Sequence, residues 1–340
     1  MKPENPPTIH HIAAELSLSM MTVSRALRGH PNVSAETRRR VLECAARLNY
    51  RPNRSAQSLV TGKTFIAGIV IPDISHTFFA DITQGAEEVL DEAGYDLILC
   101  HSREDPERER QEIEMLVSGR VDGLIVASAQ PADAPGVYRK LQRRGFPVVL
   151  IDRYFTGMSL PVVRVDDRAV GRLAAEHLVE LGHRRIGYIQ GGSVSTAAER
   201  FAGFQESLQE KTVVLNPAWV IPADLSFESG FRAMNELIAM EDGPTAVCAA
   251  NDPAAMGAAE ACQKAGLRVP GDVSLMGAGA IEGDHHPFPF LTTISWSRKE
   301  MGREAARLLL ANLEGKQDQP EAVILPAQLS VRRSTAPPRV

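Results

Sequence analysis

With 340 residues and 44% hydrophobic side chains, the chain is long enough to build two or three folding units around sizeable cores. It has no run of about 18 apolar residues, and it begins polar and proline-rich at Met1 to Pro7, so a membrane span or an export signal is not expected and a cytoplasmic location is. The formal charge is −5, yet residues 1–62 carry nine Lys and Arg against four Asp and Glu, a net of +5 that leaves −10 on the rest: a basic head for phosphates on an acidic body.

The head opens with two short amphipathic stretches. Thr8 can cap a helix whose apolar face is Ile9, Ile12, Ala13 and Leu16, and Ser19 can cap a second whose inward face is Val23, Ala26 and Leu27. This is a helix-turn-helix pattern. It leaves Met20, Met21, Thr22, Ser24 and Arg25 on the outer side of the second helix, where such a helix meets base edges in a major groove. A third helix runs from its cap Ser34 to Leu48, with Arg38, Arg39 and Arg40 either on phosphates or on a solvated face. From Pro52 to Lys63 the chain turns small and polar, as a linker with one short helix does.

Beyond residue 63 the pattern changes to alternating strands and helices. Strands are predicted at 66–71, 96–100, 123–127 and 148–151, with helices at 79–93 and 106–118 between them. The alternation repeats with strands at 162–165, 186–189, 246–250 and 273–276 and helices at 168–181, 197–209, 227–240 and 254–265. A tail follows, with strands at 291–294, 323–325 and 329–331 and a helix at 301–313. These are the signs of two doubly wound, parallel α/β subdomains. Cys44, Cys100, Cys248 and Cys262 are scattered without CxxC spacing and are expected to be free thiols, not a disulfide or zinc site.

Open parallel sheets bind ligands beyond the carboxyl ends of their strands. Those loops hold Asp73 with Phe78 and Phe79, then Asp152-Arg153, Gly191-Gly192-Ser193 and Asn251-Asp252. An aromatic face with charged and amide groups suits a small polar metabolite. Each residue also has a structural alternative: Phe79 in the core, Asp252 as a helix cap, Asp152 and Arg153 paired with each other. His285-His286 lacks a third ligand and reads as surface, so no metal is expected. An α/β enzyme and a two-lobed solute-binding protein are the competing readings. Against the first, the chain has no GxGxxG after the first strand, no GxxxxGK[ST] and no GxSxG.

Thr8-Ile9, Val23-Ser24-Arg25-Ala26-Leu27, Val33-Ser34-Ala35-Glu36-Thr37-Arg38, Leu48-Asn49-Tyr50-Arg51-Pro52-Asn53 and Ala56-Gln57-Ser58-Leu59 together resemble the lac repressor (LacI/GalR) family of transcription regulators. The resemblance extends to Arg332-Arg333-Ser334. It implies an all-α helix-turn-helix domain (1–52), a hinge helix and linker (53–63) and a periplasmic-binding-protein-like, two-lobed effector and dimerisation domain (64–340). The lobes are expected at 64–161 plus 292–322 and at 162–291 plus 323–340. It further implies a homodimeric repressor on double-stranded operator DNA, without catalysis or a cofactor, whose members differ in whether ligand releases or strengthens DNA binding. DNA contacts are implied for Thr8, Ser19, Met20, Met21, Thr22, Ser24, Arg25, Asn53, Arg54, Ala56 and Gln57, and Leu59 matches a leucine wedged into the minor groove.

Effector contacts are implied for Phe78, Phe79, Arg200 and Asn251, with Asp152 and Arg153 lining the same cleft. Two departures stand out. Gly277-Ala278-Gly279-Ala280 lacks, at Gly279, an acidic residue common in sugar-responsive members, and Trp296 stands where glutamine is common. With that carboxylate gone and Arg153 and Arg200 near the cleft, a sugar acid, sugar phosphate or other small anion is favoured over a neutral sugar; the alternative is that Asp73, Asp152 and Asp252 neutralise those arginines, or that Arg200 only bridges the lobes. The tail after Val331 has two prolines and no leucine repeat, so a dimer is expected and not a tetramer.

Overall fold

The computed structural model describes residues 7–27, 30–50, 62–74, 77–279, 290–316 and 321–339. Contacts divide the chain into a unit from Met1 to Thr64 and one from Phe65 to Val340. Asn53, Arg54, Ala56, Gln57 and Leu59 of the expected hinge helix, and the His285-His286 pair, lie outside the described residues.

The first unit packs α1 (Ile9–Leu16), α2 (Met20–Leu27) and α3 (Ala35–Arg47) around Ile12, Ala13, Val23, Ala26, Val41, Cys44 and Ala45. These positions recur at three- and four-residue spacing, so each helix turns one apolar stripe inward. Ser17 ends α1 in the left-handed region (φ 52°), and the Leu18 N–H returns to the Ala13 carbonyl, which makes the tight turn. Ser19 Oγ accepts from the Thr22 N–H at 3.1 Å and Ser34 Oγ from the Thr37 N–H at 3.2 Å, capping α2 and α3. At α1 the Thr8 N–H donates to His11 Nδ1 at 2.9 Å, an imidazole taking the part usually played by Glu or Gln three residues into a helix.

The second unit holds two six-stranded sheets. The first is built from β1 (Ile66–Ile71), β2 (Asp96–His101), β3 (Gly123–Val126), β4 (Val148–Ile151), β5 (Val162–Val165) and β11 (Ala322–Leu325), in the order β11-β5-β4-β3-β1-β2. The second is built from β6 (Ile186–Ile189), β7 (Val220–Ile221), β8 (Ala246–Ala249), β9 (Ser274–Ala278), β10 (Thr292–Ser295) and β12 (Gln328–Ser330), in the order β12-β10-β9-β8-β6-β7. Every pairing is parallel except β10 with β12. The central strands β3, β4, β6 and β8 are buried along their whole length, as sheets covered on both faces require.

The sheets correct the expected lobe boundaries. Strand β5 at 162–165 and strand β11 at 322–325 belong to the first sheet, while β10 at 292–295 belongs to the second. The chain therefore changes lobe after β5, after β10 and between β11 and β12, and not at the composition breaks. Hydrophobic patterning marks a strand but not the sheet it joins. Two further elements escaped the pattern: α6 (Val137–Arg143), too short and charged to show a period, and β7, a strand of two residues.

Three helix pairs flank the sheets: α4 (Thr77–Glu92) with α11 (Arg298–Leu313), α7 (Asp167–Glu180) with α8 (Ser195–Glu210), and α9 (Phe227–Ile238) with α10 (Asp252–Lys264). Each meets through two glycines facing the partner's backbone. A Cβ on Gly85 would lie 2.1 Å from the Lys299 carbonyl oxygen and one on Gly302 1.9 Å from that of Ile82. In the second pair, Gly171 would clash with the Arg200 carbonyl at 1.9 Å and Gly203 with that of Arg168 at 2.1 Å; Gly230 and Gly257 play the same part in the third. Backbones this close exclude any side chain at those positions.

Candidate functional site

On the first unit, α2 turns Val23 and Ala26 inward, and this leaves Met20 and Met21 47% and 63% exposed with Arg25 beside them. Thr22 and Ser24 are half-buried, and the Thr8 and Ser19 side chains are exposed at the helix starts. The three consecutive arginines divide: Arg39 is tied to Glu36 at 2.9 Å and Glu43 at 3.0 Å along α3, whereas Arg38 and Arg40 are exposed. Arg47 pairs with Glu15, joining α3 to α1. An apolar, hydrogen-bond-free pair of tips followed by one guanidinium can meet thymine methyl groups and one polar base edge.

The second unit holds a cleft of about 610 Å³. Asp73, Phe78, Phe79, Asp152, Arg153, Arg200, Asn251, Asp252 and Trp296 all line it. They converge from loops beyond strand ends: Asp73 after β1, Asp152-Arg153 after β4, Asn251 after β8 and Trp296 after β10, with Phe78 and Phe79 in the first turn of α4 and Arg200 in α8. Phe78 packs edge-on against Phe79 (centroids 5.0 Å) and Trp296 (5.9 Å), and the Arg200 guanidinium lies 5.2 Å from the Trp296 ring centroid. Phe79 thus serves both readings, since it is buried in the core cluster and lines the cleft.

The two arginines are not free cations. Arg153 donates to both carboxylate oxygens of Glu104 at 2.8 and 2.7 Å and to the Ser128 carbonyl at 2.8 Å. Arg200 donates to Asp167 Oδ1 at 2.8 Å and to the Ala250 carbonyl at 2.9 Å, and its other terminal nitrogen sits 3.9 Å from Asp152 Oδ1. Burial opposes the charge on each guanidinium, but the carboxylates outweigh it and hold both pKa values above the ordinary arginine range. The acids respond in the opposite sense. Burial raises Asp152 despite Arg200 and Arg153, and it pushes Asp167 up to about 7 despite Arg200. Asp152 also adopts the left-handed region (φ 62°), a strained conformation at the edge of the site. Both arginines that an anionic ligand would meet are thus already paired, and three arginines and five carboxylates line the cleft.

Other assignments shift in detail. The cap of α10 is Asn251, whose Oδ1 accepts from the Ala254 N–H at 3.0 Å and whose Nδ2 donates to the Leu225 carbonyl at 2.8 Å. Asp252, read as a possible cap, is instead buried and accepts from Thr293 Oγ1 at 2.6 Å. Gly279 lines the cleft at φ 117°, a conformation open to glycine and strained for an aspartate. Sequence reasoning missed Arg103 and Glu104, which follow β2 and were within reach of the strand-end rule, and Asp224 to Ser226, which follow the unrecognised β7. Burial would raise Asp224, but hydrogen bonds from Ser226 and Ser229 lower it below the ordinary aspartate value.

Comparison with known proteins agrees with both units. Residues 8–53 match "Bacterial regulatory proteins, lacI family", and residues 64–333 match "Periplasmic binding proteins and sugar binding domain of LacI family". The chain is 34% identical over 335 residues to the HTH-type transcriptional repressor PurR of Haemophilus influenzae, covering 96% of this chain and 98% of that protein. The lac repressor dimer bound to operator and the anti-inducer ONPF superimposes with a TM-score of 0.85 at 28% identity, covering 98% and 100% of the two chains. The transcriptional regulator CelR in complex with cellobiose gives 0.72 at 29% identity, covering 96% and 99%. A helix-turn-helix unit followed by a two-sheet cleft unit, matched along nearly its full length to such regulators, makes this chain a member of the LacI family of bacterial regulatory proteins.

Proposed function

We propose that the chain is a dimeric, operator-binding transcriptional repressor whose DNA affinity is set by a small, neutral, polyhydroxylated metabolite held in the cleft. The observation that carries the ligand class is the pairing of the two buried cleft arginines, Arg153 and Arg200. An anion would have to displace Glu104 from Arg153 or Asp167 from Arg200, whereas a hydroxyl can donate to a paired carboxylate and accept from a paired guanidinium without separating them. The aromatic group of Phe78, Phe79 and Trp296 offers apolar faces for the C–H side of a sugar ring. The solved relatives bound to operator and to cellobiose support the same reading.

The DNA half rests on Met20, Met21 and Arg25, exposed on a helix whose opposite face is core. Leu59 belongs to the proposal as the minor-groove wedge: Leu59→Ala should weaken operator binding and bending while leaving binding to random duplex and its salt slope unchanged.

The deciding experiment begins by selecting duplexes from a random library with the full chain. Calorimetry against neutral sugars and against their acids and phosphates follows, with operator affinity measured at saturation. A palindromic site whose affinity responds to a neutral sugar supports the proposal. Tight binding of acids or phosphates with none of the neutral sugar overturns the ligand class, and a chain that selects no sequence overturns the repressor.

A further inference from the structure

Glu109 lies in the first turn of α5 (Pro106–Ser118); it is wholly buried and does not line the cleft. Three donors converge on its carboxylate: the Ser128 hydroxyl at 2.8 Å, the hydroxyl of Tyr138 from α6 at 2.7 Å, and the Ala129 N–H. Ser128 Oγ itself accepts from the Gln130 N–H at 3.0 Å, which leaves its own proton for Glu109. Burial holds the Glu109 pKa above the usual glutamate range, although the three donors and the Arg153 charge work against it. Arg153 donates to the Ser128 carbonyl at 2.8 Å, and that carbonyl and the Ala129 N–H are the two polar ends of one peptide group. In a planar trans peptide these ends point in opposite directions, so the carboxylate that takes the N–H also aims the C=O. A carboxylate at one end and a guanidinium at the other polarise the peptide in the same sense, and each bond strengthens the other. Beyond the peptide, Arg153 grips both carboxylate oxygens of Glu104, and Ala129, Arg153 and Glu104 all line the cleft. A buried acid without surface on the cleft therefore stands one peptide group away from the charged pair that has it.

We propose that Glu109 is a positioning residue of the cleft: it fixes the Ser128–Ala129 peptide, and through that peptide the Arg153–Glu104 pair, so it sets ligand affinity without touching the ligand. Tyr138 supplies the contrast, because its hydroxyl serves the Glu109 carboxylate and neither end of the peptide. This inference rests on the reading of the cleft as a metabolite site, whatever the charge of the metabolite.

The test uses the full chain and its Glu109→Leu, Glu109→Gln and Tyr138→Phe variants, with folding verified by circular dichroism and stability by urea unfolding. Leucine removes the acceptor for the Ala129 N–H, glutamine keeps an acceptor but loses the charge, and phenylalanine removes a bond to Glu109 while leaving both ends of the peptide alone. Calorimetry, at a temperature where every variant is folded, offers ribose, glucose, galactose, glucuronate and ribose phosphate, and the tightest wild-type probe is carried through the series. The expected loss of affinity is about tenfold or more for Glu109→Leu and about threefold for Glu109→Gln, with Tyr138→Phe within about twofold of the wild type, whatever each variant loses in stability. If the leucine variant does not fold, Glu109→Gln against Tyr138→Phe carries the test. Wild-type affinity in the Glu109 variants overturns the proposal. So does a loss in Tyr138→Phe equal to that in Glu109→Gln, since a loosened core would then be enough. Crystal structures of the unliganded variants read the positioning without a probe: a Ser128 carbonyl turned away from Arg153 is expected when Glu109 is replaced by leucine, and an unchanged bond overturns the proposal. A wild type that takes only the acid or the phosphate overturns the neutral-sugar reading, and the series then runs on that probe. One that takes no probe overturns the reading of the cleft, and the crystal structures decide whether Glu109 positions Arg153.

Discussion

The two units place their recognition chemistry in opposite environments. On the helix-turn-helix unit, Met20, Met21 and Arg25 stand in solvent on a helix whose other face is core, so the fold fixes their position but asks nothing of their chemistry. In the cleft, Asp152, Arg153, Asp167 and Arg200 are buried and bound to one another, so chemistry and stability are the same interactions. Substitutions in the head should therefore change specificity at little cost to folding, whereas substitutions in the cleft should cost both.

The largest effect is expected from Arg200→Ala. It leaves Asp152 and Asp167 buried without their main counter-charge, and breaking a buried pair in this way costs roughly 3–5 kcal/mol. Urea unfolding of the full chain measures it, and a loss below about 1 kcal/mol, the level of an exposed pair, would erase the contrast between the units. Next is Gly171→Ala, whose methyl group would meet the Arg200 carbonyl and has to force two helix backbones apart, at a cost no smaller than the roughly 1–3 kcal/mol of an overpacking change. It should also weaken ligand binding more than Gly85→Ala, which forces apart a helix pair that does not carry Arg200; equal effects on affinity would separate the glycine contact from the site.

In the head, Arg25→Ala should cost roughly 1–3 kcal/mol of operator affinity and relax one base pair per half-site. The urea midpoint should barely move, because Arg25 is exposed. Equal weakening on operator and random duplex would make Arg25 a phosphate contact. The smallest effect concerns pH. Burial raises Asp167 to about 7, so the folded state holds this proton more tightly than the unfolded chain does. Its contribution to stability is fully present below the ordinary aspartate range and is lost as the pH rises towards about 7. Asp152 and Glu109, also raised by burial, act in the same direction. Tm measured from pH 4 to 8 should fall less steeply for Asp167→Asn than for the wild type, and an identical slope would remove Asp167 from the account.

The sequence by itself determined the three helices of the head, because the signals there are local: caps at Ser19 and Ser34 and apolar residues at helical spacing. It also determined the alternation of strands and helices, and the loops beyond the strands pointed to Asp73, Asp152, Arg153, Asn251 and Asp252, whereas Arg200 and Trp296 came from the family resemblance and Arg103, Glu104 and Asp224 to Ser226 were missed. What it did not determine is pairing between residues far apart in the chain. That 162–165 joins the first sheet and 292–295 the second depends on which edge is free when the chain crosses over. That Glu104 pairs with Arg153 across 49 positions, and Asp167 with Arg200 across 33, could not be read from either arginine's own surroundings in the chain. Trp296 meets Phe78 and Arg200 only because folding brings the end of β10 beside α4 and α8. Periodicity and capping are properties of a few consecutive residues, whereas counter-charge and cavity shape exist only once distant segments have packed.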